Sequence, residues 1–434
     1  VGMLVVDELT DKWSDNDYWG GRQPFTHIWH KLITEWIKRD RNRPSIILWS
    51  LGNELQIREG WAGFEGTNDW GITTYNIFNQ LVKRWDNTRL TTVAMFPARA
   101  GAITRHDKEF NDYLVPPELA CATEVASFNY QSDKYDAYLK YKPDLILFQS
   151  EAETSNLLQP YYNMDRKRTV GMAYWGSAEY WGESNKWPKK GWNYSFFDHT
   201  MRPYPQAYLI KSAFMPEIPE VHIGVVDAAG AESVSWNDVI VGRMALNECW
   251  NHTPGSRQSL FTFTNAHSVE LLVNGQSMGI QENDTTRANL RNMIYWKDVP
   301  YGNGGSVVAI ARDKSGKEVA RHHIETAGKA VALRIEAETP ADWKADGMDL
   351  QYINVTVIDK KGRPVWDYNE PLTLQMEGAA WLVALDNGDH YTDELFHGIT
   401  SKRMYQGRMQ IILRSDQEAG NVTVKISSAG LKGT

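Results

Sequence analysis

Up to about residue 216 the chain alternates short apolar runs with longer stretches of helical periodicity. The runs Met3–Val6, Ile46–Trp49, Leu90–Met95, Val125–Phe128, Leu145–Gln149 and Val170–Tyr174 predict strands. Between the first two, Ile28, Trp29, Leu32, Ile33, Trp36 and Ile37 recur at helical spacing and give one apolar face, which predicts a helix over 25–38. Strands that alternate with helices in this way predict parallel βα units.

After MPEIPE (215–220) the pattern becomes period two, in stretches such as SLFTFTN and SVELLVNG that are punctuated by Asn-Gly, Gly-Asn and Gly-Gly turns. A strand pattern restarts near ETAGKAVALRIEAE (325–338) and continues through INVTVID, LTLQMEG and VTVKISS. The expected organisation is therefore α/β followed by all-β, with domains at 1–216, 220–328 and 329–434, the last two being β-sandwiches. No low-complexity segment or internal repeat interrupts it.

Composition narrows the function more than the fold. The chain has 434 residues, 23% of them charged, and a net charge of −8. No basic stripe is present that would follow phosphates, which argues against nucleic acid as a partner. Cys121 and Cys249 are too few for a disulfide framework and lack zinc-ligand spacing. No apolar run is long enough for a membrane helix. Of the 18 tryptophans, 12 fall within 1–216, where indole faces can stack on sugar rings as well as fill a core.

Several expected strands end in polar chemistry. Asp7 and Glu8 follow the first, Asn53 and Glu54 the second, Asn129 and Tyr130 the fourth, and Glu151 the fifth. In a (β/α)8 TIM barrel these positions converge on the C-terminal mouth. One strand-end Glu is ordinarily a cap or a salt-bridge partner. Two on non-adjacent strands, in a Trp-rich region without a phosphate loop, a metal-ligand cluster or a nucleophile elbow, point to glycoside hydrolysis. That reaction needs one carboxyl protonated to release the leaving oxygen and one ionised at the anomeric carbon.

The stretch RDRNRPSIILWSLGNE (39–54) resembles the acid/base signature of glycoside hydrolase family 2, which includes β-galactosidases, β-glucuronidases and β-mannosidases. The resemblance implies that Glu54 is the general acid/base and that Asn53 binds the sugar 2-hydroxyl. DLILFQSEAET (144–154) resembles the nucleophile strand, which implies Glu151 as nucleophile with Glu153 as its rival. FNYQ (128–131) resembles the strand whose Tyr orients the nucleophile, so Tyr130 takes that role beside Asn129. GMAYWGSAEYWGE (171–183) resembles the last barrel strand and implies Trp175 as the floor of the sugar pocket, while Glu8 is a further substrate-binding candidate. FFDHTMRPYPQAYLIKSAF (196–214) resembles the last barrel helix, where Asp198, Pro203 and Lys211 take structural roles. FTNAHSVELLVNGQSMG (263–279), DGMDLQYINVTVIDKKGRPV (346–365) and LDNGD (385–389) resemble the immunoglobulin-like domains that follow in Bacteroidota-type members.

Departures from the family pattern carry information too. Where metal-dependent members place an acid and a His, this chain has Lys12 and Ser14, so no metal and no cofactor is expected at the mouth. The Asn-x-Lys carboxylate clamp of glucuronidases is broken in SNKWPKKGW (184–192), where Asn185 is followed by Lys186 and Trp187, although Lys186, Lys189 and Lys190 could meet an acid sugar. The expected activity is that of a retaining exo-β-glycosidase acting on β-galactosides. The alternatives are β-glucuronidase and a non-catalytic fragment that binds carbohydrate or a partner. The resemblance also implies an N-terminal half of the same enzyme supplying the first barrel strands, and a periplasmic or secreted location. A homo-oligomer is compatible with it.

Overall fold

The computed structural model describes residues 3–13, 22–55, 71–95, 116–130, 132–152, 158–184, 187–227, 232–236 and 239–431, with no side-chain description over 228–243. The chain divides into two compact units, one of 1–175 with 235–240, the other of 176–234 with 241–434.

The first unit is built on a parallel sheet of six strands in sequence order, the arrangement of a TIM-type barrel wall. Its strands are β1 (Val5–Glu8), β2 (Ile46–Asn53), β3 (Leu90–Met95), β4 (Val125–Asn129), β5 (Leu147–Ala152) and β6 (Thr169–Tyr174). Helices α1 (Phe25–Asp40), α2 (Ile72–Trp85), α3 (Glu118–Ala122), α4 (Tyr135–Tyr141) and α5 (Gln159–Asn163) lie between them. All six expected strands are present. The first starts two residues later than the apolar run suggests, because Met3 and Leu4 are exposed and Asp7 and Glu8 take the pairing positions instead. The fifth runs on through Glu151 and Ala152, so Glu151 lies within the strand and does not follow it.

One core fills the space between the sheet and its helices. Trp36 and Trp49 meet edge to face at 4.9 Å, and Tyr75, Phe78, Phe128 and Tyr138 extend the cluster. The Trp49 indole N–H donates to Asp86 at 2.9 Å, and Arg89 pairs with the same carboxylate at 2.6 Å. Burial pushes Asp86 upward, but donors from Thr88, Arg89 and Trp49 outweigh it and hold the carboxyl at about 2. On the opposite face Leu48, Val125 and Phe148 form a smaller apolar layer. Trp13 crosses the end of β2, donating to the Leu51 carbonyl at 2.7 Å. Only glycine permits this at position 52, since a Cβ there would lie 2.7 Å from the Trp13 ring nitrogen.

The second unit carries helix α6 (Pro205–Phe214) and antiparallel sheets. Strands Leu246–Asn247, Val221–Val226, Arg257–Thr264 and Met293–Pro300 form one sheet, and Gln276–Glu282, Ser268–Val273, Ser306–Arg312 and Glu318–Glu325 another. Ile223, Leu260, Leu271, Trp296 and Val307 form the core between these two. A further sheet pairs Ala330–Ala337, Leu350–Asp359, Arg408–Ser415 and Ala380–Asp386, with its partner built from Ser401–Arg403, Pro371–Gly378 and Val422–Ser428. Along Leu350–Asp359 every second side chain is buried, the period expected of a sandwich strand.

Candidate active site at the strand ends

The sheet delivers its polar residues at the C-terminal ends of β2, β4 and β5. Asn129, wholly buried at the end of β4, donates through Nδ2 to Asn53 Oδ1 at 2.8 Å and to Glu54 Oε1 at 3.1 Å. Its own Oδ1 accepts from Ser150 Oγ at 2.7 Å, which fixes which end of the amide faces Glu54. Strands β2 and β4 are not neighbours, and in a flat sheet they would stand about 9–10 Å apart. A side-chain hydrogen bond across that gap requires the sheet to curl inward, as a barrel wall does.

The backbone aims these groups. Glu54 and Tyr130 have φ of +44° and +58°, a left-handed conformation at the exits of β2 and β4 where the chain turns sharply. The Glu54 amide is tied to the Ala94 carbonyl at 2.8 Å and the Tyr130 amide to the Glu151 carbonyl at 2.6 Å. Such conformations cost roughly 1–3 kcal/mol each and persist where surrounding bonds over-determine them. Asn129 and Glu151 are register partners, so Glu151 stands level with the amide that holds Glu54. Both carboxylates are buried, at 5% and 9% exposure.

Trp175 leaves β6 at the same level, its amide bonded to the Ala152 carbonyl at 2.9 Å, and its side chain is half-buried. Glu8 interacts with the charges of Asp11 and Lys12, the pair that holds Asn53. Register places it opposite Ser50, whose hydroxyl donates to it at 2.6 Å. Asp7 turns to the helix side, where it accepts from the Trp36 indole at 3.1 Å; burial lifts its carboxyl despite that bond. Glu153, Ser14, Asn185 and Lys186 lie outside the described residues. Lys189 and Lys190 belong to the second unit, where Lys189 donates to Tyr194 Oη at 3.2 Å and Lys190 to the Thr392 carbonyl. Asp198 accepts from the Thr200 and Arg202 amides, and Lys211 pairs with Glu220 at 2.5 Å, both structural uses.

Sequence reasoning noted Lys12 only as a departure and missed its position. Lys12 is buried, with Nζ 2.8 Å from Asp11 Oδ1 and 2.8 Å from the Asn53 carbonyl. Asp11 in turn accepts from Asn53 Nδ2 at 3.0 Å and, through its backbone carbonyl, from the Asn53 amide at 2.7 Å. An ammonium thus stands at the mouth beside the residues that fix Asn53. The signal available in the sequence was a charged pair separated from the end of β1 by two residues.

A curved parallel sheet with paired carboxylates at its C-terminal edge, followed by antiparallel sandwiches, is the architecture of barrel glycosidases. Residues 11–173 match the family described as glycosyl hydrolases family 2, TIM barrel domain, and residues 333–434 match glycoside hydrolase family 2 C-terminal domain 5. Residues 255–320 match a domain of unknown function, DUF4982. The chain belongs to glycoside hydrolase family 2. It is similar to a β-galactosidase of Bacteroides ovatus, 24% identical across 100% of this chain and 54% of that protein. It is also similar to a β-glucuronidase of Formosa agariphila, 26% identical over 54% of this chain and 21% of that protein. Among solved structures, a glycosyl hydrolase family 2 member from Bacteroides cellulosilyticus superposes with a TM-score of 0.78 at 26% identity, covering 100% of this chain and 53% of that one. The chain thus spans about half the length of the relatives it matches end to end.

Proposed function

We propose that this chain carries the catalytic residues of a retaining exo-β-glycosidase that removes terminal β-D-galactosyl groups. The observation that supports this most is Asn129, which bonds Glu54 and Asn53 through its side chain and pairs with Glu151 in register. In this reading Glu54, protonated, donates to the leaving oxygen while ionised Glu151 attacks the anomeric carbon. The leaving alcohol departs with that proton and a glycosyl ester forms on Glu151. Glu54 then takes a proton from water, the resulting attack cleaves the ester, and both carboxyls return to their starting states.

Asn53 has one amide hydrogen engaged by Asp11, so the other is available to a sugar 2-hydroxyl, a contact that gains strength in the transition state. Tyr130 steadies Glu151 and Trp175 supplies an apolar surface for the ring. The chemistry requires no cofactor. Residues 1–216 are read as the catalytic portion, with 220–328 and 329–434 as sandwich modules. A polypeptide equivalent to the N-terminal half of the relatives would supply the remaining strands, since an eight-stranded barrel has no free edges. β-Glucuronidase is the second reading, supported by the relatives that carry that name.

Hydrolysis of aryl β-galactoside and β-glucuronide, by the chain alone and with the N-terminal half supplied, tests the assignment. Galactoside turnover that falls by about 10²–10⁴-fold in Glu54→Gln and in Glu151→Gln is expected. Turnover that survives either substitution would remove that residue from its role, and preference for the glucuronide would favour the second reading.

A further inference from the structure

The second unit contains a cluster of ionisable groups that glycoside hydrolysis does not use. Glu179 stands before the short strand Tyr180–Trp181, His199 in the turn ahead of α6, and His390 just after the strand Ala380–Asp386. Glu179 and His390 are buried, at 6% and 4% exposure, and His199 is partly buried. Glu179 Oε2 lies 3.5 Å from His199 Nδ1 and 3.2 Å from His390 Nε2, and the three atoms fall within 4.8 Å of one another. Tetrahedral zinc with ligand bonds near 2.0–2.2 Å holds its ligand atoms about 3.3–3.5 Å apart. The two imidazole planes stand at 84°, so both rings can point a lone pair at one centre.

The groups behind this triad are those a metal site needs. His199 Nε2 is held by Asp386 at 2.9 Å, the carboxylate–histidine pairing that fixes the tautomer of a ligating imidazole. Glu179 Oε1 accepts from Tyr204 Oη at 2.8 Å, and Oε2 faces both histidines. Neither His199 Nδ1 nor His390 Nε2 makes a hydrogen bond among the described residues, an arrangement that buried polar atoms rarely adopt. The neighbouring ammoniums of Lys190 and Lys402 are engaged by the backbone carbonyls of Thr392, Glu394 and Leu395.

An ion pair alone explains part of this. Burial disfavours a charge on His199, but Asp386 and Glu179 outweigh it and hold the imidazolium up to about 10. That pairing involves His199, while His390 Nε2 lies 3.2 Å from the same Glu179 oxygen. The other His-Glu-His group in the unit behaves differently. His322 Nδ1 already accepts from the Ile223 amide at 3.1 Å, His222 Nε2 lies 2.6 Å from Glu248, and the His222 and His322 rings stack at 3.9 Å.

We propose that Glu179, His199 and His390 form a binding site for a divalent transition-metal ion, zinc by ligand type, with water as fourth ligand and a structural role in joining these three segments. Purified chain stripped with chelator, its fold checked by circular dichroism, is titrated with zinc and with cobalt(II). One ion bound per chain is expected, with the visible bands of tetrahedral cobalt and a higher melting temperature. His390→Gln should abolish both effects, Asp386→Asn should weaken binding by about 10- to 100-fold, and His322→Gln should leave binding unchanged. A folded, stripped protein that gives no cobalt bands and no thermal shift would overturn the proposal. So would a His390→Gln protein that binds cobalt as the parent does.

Discussion

Asn129 is the residue on which the mouth of the sheet is organised. Its amide has no rotational choice, because Ser150 occupies Oδ1 while Asn53 and Glu54 share Nδ2. Asn129→Asp would set a second carboxylate against Glu54, disfavour ionisation of the pair and disturb the acid/base cycle. A shifted pH–rate profile for Asn129→Asp, beside a simple loss of kcat for Asn129→Ala, is the expected pattern. Equal profiles for both variants would mean that the amide only fills space. Lys12 belongs to the same scale. Lys12→Met should remove the ammonium donor from the partly buried Asn53 carbonyl and from Asp11, costing about 1–3 kcal/mol of stability and lowering kcat/KM through Asn53. Denaturant melts with parallel kinetics check both effects, and an unchanged kcat/KM would separate Lys12 from the site. Glu54, Asn53, Asn129 and Glu151 were legible because each lies at the end of an apolar run. Lys12 was not, since nothing in a linear sequence shows that a lysine after one strand folds over the end of the next.

Elements were read best where the two faces differ. The helix expected over 25–38 has such a buried face and extends to Asp40, while β3 falls on its apolar run because a continuous apolar run suits a strand buried on both sides. Strand ends were harder. β5 continues into Ser150 and Glu151 because β4 and β6 still pair there, which composition alone does not reveal. In the sandwich region, the strand Glu318–Glu325 places His322 against Val221–Val226. Burial, then the charge of His222, pushes His322 down to about 4. A depressed histidine is neutral in the folded state while the unfolded chain takes up a proton below about 6.5. Stability from this group is therefore complete above that pH and is lost as pH falls from about 6.5 to 4. Unfolding free energies across that window should decline by about 1–2 kcal/mol more in the parent than in His322→Gln, after allowance for solvent screening. Equal slopes would show that His322 is already free to protonate. Asp86, held at about 2, contributes its own loss only at lower pH, so the two effects do not overlap.

At the scale of the whole molecule, the sequence carried the order of architectures, parallel α/β first and antiparallel sandwiches after, because hydrophobic period differs between them. It also carried the family, through the unbroken RDRNRPSIILWSLGNE motif that runs into and along β2. Tertiary pairing over long separations was hidden, as between His199 and Asp386, which lie 187 residues apart. The choice between galactose and glucuronic acid was not legible either, and the relatives carry both names. In the proposed mechanism Glu151 is the carboxylate that forms the covalent bond to the sugar. Incubating the chain, with the N-terminal half supplied, with a 2-deoxy-2-fluoro-β-galactoside bearing a good leaving group slows the second step and traps the ester. Peptide mass spectrometry should find one fluorosugar per chain, on Glu151. A label on Glu153 or Glu8, or turnover without any trapped ester, would contradict the account.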